Sequence, residues 1–162
     1  DNAGGVGTRT DEQDTMDSHL EPASAPINGA LRTGECLSLL RSVAAGRLIY
    51  TDNALPAVWP VTFAAPDGQI VIPTGGHQWF DRFDATVVAL EAGAIASVTR
   101  TGWTVLAIGR SRLVIGTDGL HGFDDPTRAP WTEGPDEGYL VFDIERLTGH
   151  RAALLRPTGD HR

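Results

Sequence analysis

The groups best suited to binding an anion concentrate in the short segment Thr74-Gly75-Gly76-His77. Consecutive glycines can present backbone N–H groups to an anion, and the hydroxyl and imidazole beside them could add hydrogen bonds. All 13 basic residues are arginine and lysine is absent, so any further cation at such a site must be an arginine or a histidine. Gly4-Gly5-Val6-Gly7 superficially resembles a phosphate loop, but it follows no predicted strand and precedes no predicted helix.

The remaining reactive side chains form no catalytic or metal-binding pattern. Cys36 is the sole cysteine and falls on the apolar face of a predicted helix, where a buried, unreactive thiol is expected. His121 lies beside Asp118, Asp124 and Asp125, but their spacing matches no known ligand set. We therefore expect no metal site, and the sequence assigns no catalytic residue.

Charge and composition narrow the classes of partner. Residues 1–30 contain six acidic residues and one arginine, whereas residues 31–162 are nearly balanced, with 15 acidic and 12 basic residues. Without a basic patch, nucleic acid is not an expected partner. No apolar run approaches the roughly 18 residues of a membrane span. No secretory signal is visible and a single cysteine suits a reducing compartment, so a cytoplasmic location is expected.

The chain is predicted to hold one folded domain. Residues 1–30 read as a disordered acidic tail, 31–156 as the domain and 157–162 as a C-terminal tail. Thr33 is a suitable helix cap, apolar residues then recur at helical spacing, and Gly46 supplies a stop. The domain should therefore open with one amphipathic helix.

Five or six strands should follow this helix. They are Arg47–Thr51, Pro56–Ala65, Gln69–Pro73, Ala85–Glu91, Thr101–Ile115 and Tyr139–Glu145. Asp67-Gly68 predicts a type I′ hairpin, His77–Phe83 a short helix, and Gly116–Gly138 a loop. A mainly β, antiparallel barrel of about six strands leaves few exposed edges. The fifth strand is apolar on both faces, so one face should line the barrel and a helix or second subunit should cover the other.

Four strings in this order resemble the pyridoxamine 5′-phosphate oxidase-like family, actinobacterial type. They are ECLSLLRSVAAG, GRLIYTDNALPAVWPVTFAAPDGQIVIPTG at 46–75, TRTGWTVLAIGRSRLV at 99–114 and YLVFDIERLTGHR at 139–151. The resemblance implies a homodimer of split β-barrels with FMN in a groove at the dimer interface. It also implies that some relatives use the deazaflavin F420 or bind haem instead.

The resemblance assigns the cofactor contacts to particular residues. Pro60, Val61, Thr62 and Phe63 would lie along the flavin ring, Thr74, Gly75 and His77 beside the phosphate, and Trp103 at the interface near the cofactor. Relatives commonly carry arginine just before the Thr-Gly pair and lysine shortly after it, where this chain has Pro73 and then His77 or Gln78. Arg47, Arg82 or Arg100 could supply the missing charge.

The resulting expectation is an FMN-dependent oxidoreductase acting on a small molecule. The alternatives are an F420-dependent reductase in the same groove, or a non-catalytic protein that binds a flavin or haem, with His150 as a candidate haem or substrate contact. Pyridoxamine phosphate oxidation is the least favoured reaction, because the arginine-rich signature for the substrate phosphate is not found near the C-terminus.

Overall fold

The computed structural model describes residues 28–115 and 138–154. The strands are β1 (Asn28–Ala30), β2 (Ala45–Asp52), β3 (Leu55–Thr62), β4 (Gln69–Pro73), β5 (Val87–Ala96), β6 (Thr101–Ile115), β7 (Gly138–Asp143) and β8 (Arg146–Ala153); α1 spans Thr33–Arg41 and a 3-10 helix spans Gln78–Phe83. The protein is therefore mainly β, as predicted, with more strands than the sequence indicated.

All strand pairs are antiparallel, and the long strand β6 joins the two parts of the sheet. Its first part pairs with β5 and β8, and its last part pairs with β7, which in turn pairs with β4. β2 connects β5 to β3, and β1 extends the sheet beside β8. Within the described residues, β3 and β4 meet in one isolated bridge between Ala64 and Val71, so the barrel is split at this point.

Alternation along β6 separates an inner face from an outer face, as predicted. Val105 and Ala107 are fully buried inside, whereas Thr104, Leu106 and Ile108 point outward and are only partly covered or exposed. The inner faces of the other strands complete the core with Leu48, Leu90, Ile70, Ile72, Leu140 and Phe142. The predicted core face of the barrel is therefore confirmed.

Helix α1 is shorter than its apolar spacing indicated. Arg32, not Thr33, is the N-cap residue, and its backbone N–H donates to the Glu35 carboxylate at 2.9 Å. The helix ends at Arg41, and Gly46 lies inside β2, where a Cβ would come within 2.6 Å of the Glu91 carbonyl oxygen. Residues 45–52 therefore pair with β3 over eight positions instead of extending the helix to Gly46, where it was predicted to end.

The predicted character of Cys36 is confirmed. Its side chain is buried, and burial together with the neighbouring Glu35 carboxylate raises the pKa of the thiol. A Cβ on Gly149 would lie 2.6 Å from the Cys36 sulfur, so α1 packs closely on β8 at this glycine. The thiol thus fills space between a helix and a strand.

Strands β1 and β8 were not expected. β8 lies inside the predicted domain but beyond the last predicted strand, which was expected to end at Glu145, and β1 lies in the segment assigned to the acidic tail. Neither carries a strong apolar alternation. Both form because the edge of β6 provides hydrogen-bonding partners for β8, and β8 does so for β1.

Two hairpins turn through residues with positive φ. Asp67 and Gly68 have φ of 37° and 79°, and the Gln69 N–H donates to the Pro66 carbonyl at 2.8 Å, which confirms the predicted type I′ turn. Asn53 and Ala54 connect β2 to β3 with φ of 50° and 63°. Alanine is poorly suited to this region, because its Cβ crowds the following carbonyl oxygen.

Replacing Ala54 with glycine should therefore stabilise the protein. Removing the steric strain of an alanine with positive φ is expected to raise the free energy of unfolding by about 1 kcal/mol and the melting temperature by a few degrees. Thermal unfolding followed by circular dichroism checks this. Ala57→Gly, in the adjacent β3, is the matched control and should lower stability, because strand glycine costs about 0.5–1 kcal/mol. A lower melting temperature for Ala54→Gly would contradict the argument.

Candidate functional site

The free edge of β3 borders the split in the barrel. The Phe63 N–H donates to the Ala44 carbonyl at 3.0 Å, so the alternation of an antiparallel ladder also directs the polar backbone groups of Val61 toward β2. Those of Thr62 point the opposite way, into the split. Pro60 occupies the preceding equivalent position and contributes a carbonyl but no N–H. The split is therefore lined by one amide donor and two carbonyl acceptors from β3.

Pro73 explains where the split begins. Ala64 and Val71 exchange two backbone hydrogen bonds of 2.9 Å, and the next pair in that register would be Thr62 with Pro73. Pro73 has no N–H to donate, so it cannot continue the ladder. In the described part of the chain, β3 and β4 share no paired residues beyond the Ala64–Val71 bridge. The residue found where the resemblance led us to expect arginine thus ends the ladder and leaves the Thr62 carbonyl without a donor from β4.

The Thr74-Gly75-Gly76-His77 segment forms a tight turn beside the split. The His77 N–H donates to the Thr74 carbonyl at 3.1 Å, and Gly75 and Gly76 have φ of 59° and 70°. The buried Thr74 hydroxyl donates to the Gly138 carbonyl at 2.8 Å and accepts from the Gly76 N–H at 3.3 Å. Thr74 therefore anchors the turn. Gly75 and His77 are exposed and accessible to an anion.

The four residues predicted along the flavin ring divide between two faces. Pro60 and Thr62 are exposed on the outer face, whereas Val61 and Phe63 are buried in the barrel core. Arg47 lies opposite Pro60 in the β2–β3 register, so it shares the outer face with the first pair. The structure thus brings the side chains of Arg47, Pro60 and Thr62 together and directs those of Val61 and Phe63 into the core.

The charge of Arg47 is already paired. Its guanidinium contacts the Glu91 carboxylate at 2.5 Å, and the second Glu91 oxygen accepts a hydrogen bond of 2.9 Å from the Thr104 hydroxyl. The Glu91 side chain is only 21% exposed on this face. Arg47 is therefore less able to compensate for the missing lysine. The sequence did not indicate the Arg47–Glu91 pair, because it does not specify the register between β2 and β5.

Trp103 is separated from the other predicted contacts within one chain. It lies opposite Ala94 on β5, three positions beyond Glu91, and packs against the core. His150 lies on β8 opposite Thr104 and is exposed. The Trp103 side chain is on the inner face of the sheet and that of Thr62 on the outer face, so one chain does not bring the two side chains to the same face.

A cluster of aromatic side chains lies between β3 and the 3-10 helix. Trp79 makes edge-on contacts with Tyr50, Phe80 and Phe83 at ring-centroid distances of 5.6, 5.0 and 5.0 Å. Trp59, on β3, is 52% exposed and lies 5.3 Å from the Trp79 ring at an interplanar angle of 42°. Sequence spacing gave no signal for this pair, since 20 residues separate the two tryptophans.

Arg82 adds a cation to this cluster. Its guanidinium carbon lies 5.8 Å from the centroids of Tyr50 and Trp79 and 5.9 Å from that of Phe83. The same side chain, 42% exposed, forms an ion pair of 3.2 Å with Asp52. This arginine was one of the three proposed to supply the missing charge, and the structure places it beside the aromatic rings.

Part of the outer face of the sheet is apolar. Residues paired across β3, β2, β5 and β6 place Val58, Ile49, Ala89, Ile108, Leu106 and Val87 on it. Val58 and Val87 are each more than half exposed. Such a continuous patch is typical of a surface that another protein surface covers.

Metal-binding clusters and membrane-spanning helices are both absent from the described segments. Residues 28–115 and 138–154 contain no group of three or more histidine, cysteine, aspartate or glutamate side chains arranged to hold a metal ion. His121 and its neighbouring aspartates lie outside the described residues. No helix in the same two segments is long and apolar enough to cross a membrane.

Comparison with known proteins identifies the family. Residues 32–151 match the family model described as pyridoxamine 5′-phosphate oxidase. The chain belongs to this family. A relative from Mycobacterium tuberculosis, the uncharacterized protein Rv0080, is 28% identical over 138 residues, which cover 80% of this chain and 89% of the relative.

Solved structures share the fold. The FAD binding protein from Mycobacterium smegmatis aligns with a TM-score of 0.57 and 23% identity, covering 76% of this chain and 97% of the other. The FAD and haem binding protein from Mycobacterium smegmatis aligns with a TM-score of 0.58 and 13% identity, covering 84% and 77% of the two chains. At these identities the likeness establishes the split-barrel fold, which the sequence had predicted.

Proposed function

We propose that the chain binds a flavin across the split between β3 and β4 and uses it as an oxidoreductase acting on a small molecule. The observation that carries this is the Thr62 edge of β3, where the ladder with β4 stops and an N–H and a carbonyl point into the split side by side. The pyrimidine edge of a flavin alternates carbonyl acceptors with an N–H donor, so the two groups are complementary to it.

The turn after β4 fits the phosphate end of the cofactor. The Gly75 backbone and the His77 imidazole are exposed there, and a Cβ at Gly76 would meet no described atom within 4 Å, so this side of the turn is open. With Arg47 paired to Glu91, few permanent charges meet the phosphate. We expect backbone contacts to the ring to contribute a correspondingly larger share of the affinity. FMN was the cofactor predicted, and the FAD-binding neighbours make FAD an equal candidate.

The proposed reaction assigns the chain's residues a positioning role. A bound flavin supplies hydride transfer, and the protein orients it and controls access of water and substrate. Thr62 would fix the ring edge, and the turn at Gly75 would fix the other end. The apolar outer face lies beside Pro60 and Thr62, so we propose that a second copy covers it and completes the groove.

A proline substitution isolates the single donor that carries the proposal. Thr62→Pro removes the N–H that points into the split and leaves the β2–β3 ladder intact, as Pro60 already does at an equivalent position. Because a flavin carbonyl would lose its hydrogen bond, the affinity for FMN or FAD should fall about tenfold. Calorimetric titration with each flavin measures this. Thr62→Val keeps the N–H and should bind as the unaltered protein does.

Other outcomes distinguish the alternatives. If Thr62→Pro and the unaltered protein bind flavin equally, the ring does not lie against this edge. A protein that binds no FMN or FAD but quenches F420 fluorescence supports the deazaflavin alternative. A Soret band on titration with haemin supports the haem alternative, for which a solved neighbour that holds both FAD and haem is the motivating observation.

A further inference from the structure

We infer that the half-exposed indole of Trp59 stacks on the adenine ring of FAD, so that the chain binds FAD more tightly than FMN. The inference rests on the proposed function, since it concerns the half of the cofactor that FMN lacks. It replaces Trp103 with Trp59 as the tryptophan that contacts the cofactor within one chain.

The geometry makes Trp59 a prepared stacking surface. One side of its ring is held by Trp79, and Trp79 is fixed in turn by Tyr50, Phe80 and Phe83. The residue is nonetheless 52% exposed. A ring already fixed by its neighbours loses little conformational entropy when a ligand stacks on it.

The separation between Thr62 and Trp59 is one that a single FAD molecule could span. Trp59 and Thr62 are three residues apart on β3, a separation of about 10 Å. They lie on opposite sides of the strand, because the side chain directions alternate. A flavin ring at the Thr62 edge could therefore pass its pyrophosphate around the strand edge and present adenine to Trp59.

Arg82 supplies charge where the pyrophosphate would pass. Residues three apart on a 3-10 helix are eclipsed, so Arg82 lies on the same face as Trp79, which holds Trp59. Its ion pair with Asp52 is exposed at both ends, and such pairs are weak enough to give way to a phosphate.

A second copy of the chain does not account for the exposure of Trp59. The apolar patch proposed to meet a partner is on the outer face, whereas Trp59 pairs with the buried Leu48 and shares the inner side of the sheet. A subunit covering Val58 and Ala89 would leave Trp59 open. An exposed indole, with an arginine beside the Trp79 ring that it contacts, favours a planar, anionic occupant.

The test compares two flavins on matched variants. In the unaltered protein FAD should bind about tenfold more tightly than FMN, since stacking of a base on an aromatic side chain is of this size. Trp59→Ala should bring the FAD affinity down to that of FMN and leave the FMN affinity unchanged, while Trp59→Phe should keep most of the difference. Unchanged FMN affinity also shows that the variant is folded.

The outcomes separate this inference from the proposed function. Equal affinities of the unaltered protein for FMN and FAD overturn the inference but leave flavin binding in place. An equal loss of both affinities in Trp59→Ala also overturns it, because the tryptophan would then support the fold or the flavin ring. If neither flavin binds the unaltered protein, both proposals fail.

Discussion

Gly109→Ala is expected to lower the free energy of unfolding by about 3 kcal/mol, the upper part of the range for overpacking a dense interior. A Cβ at this position would overlap the Asp143 carbonyl oxygen and would lie 2.8 Å from a ring carbon of Phe142. Because the nearest atom belongs to the backbone, a side-chain rotation cannot relieve the clash. The segment between β7 and β8 would have to move.

The position explains the size of the effect. Gly109 lies on β6 between the part that pairs with β8 and the part that pairs with β7. The chain crosses closely over it from Asp143 to Glu145, whose N–H donates to the Ile108 carbonyl at 2.9 Å. A displacement here disturbs both halves of the sheet at once.

Denaturant unfolding measures this prediction, and Gly34→Ala is its matched control. Gly34 lies in α1, where an added Cβ would meet no described atom within 4 Å outside the helix's own backbone, so alanine there should raise stability by up to about 1 kcal/mol. If Gly109→Ala and the unaltered protein are equally stable, the segment between β7 and β8 does not pack on Gly109 as closely as the structure shows.

The features predicted correctly from sequence depend on neighbours in the chain. Alternation along Thr101–Ile115 is a property of one strand, and it gave the buried and outer faces of β6. The Asp67-Gly68 turn depends on two residues that tolerate positive φ. The two faces of β6 and the Asp67-Gly68 turn both depend on residues close in sequence, so they could be predicted without the distant strand partners.

The errors occurred where distant partners decide the structure. Gly46 was expected to end a helix, but the ladder with β3 draws Ala45–Asp52 into a strand. β8 carries no clear pattern and forms because β6 offers it an edge. Such competition between local preference and long-range pairing is not visible in a single sequence.

The candidate site shows the same division. The Gly75-Gly76 turn and the Thr62 strand follow from short strings, because both act through backbone geometry. The pairing of Arg47 with Glu91, 44 residues away, depends on the register between β2 and β5. The sequence therefore identified as available an arginine that the fold pairs with a carboxylate.

The second large effect is expected from Ala89→Arg, which should prevent the proposed dimer from forming. Ala89 lies on the outer face between Ile49 of β2 and Ile108 of β6. A guanidinium there would be buried without a partner if a second subunit covered the face. Such a charge costs about 3 kcal/mol or more, so the dissociation constant should rise at least a hundredfold.

Sedimentation velocity over a range of concentrations measures the association, and Ala96→Arg is the matched control. Ala96 is exposed near the end of the same strand but has the opposite side-chain direction, so arginine there should leave the association unchanged. If Ala89→Arg associates as the unaltered protein does, the apolar face is not the dimer interface.

The same variant tests whether the flavin groove depends on the partner. Pro60 and Thr62 share the outer face with Ala89, so the loss of a covering subunit would expose the bound ring to water on that side. Flavin affinity should then fall in Ala89→Arg further than in Thr62→Pro, because more than one contact disappears. An Ala89→Arg monomer that keeps its full flavin affinity would place the whole site within one chain, where Thr62, the Gly75 turn and Trp59 already lie along one edge of the split barrel.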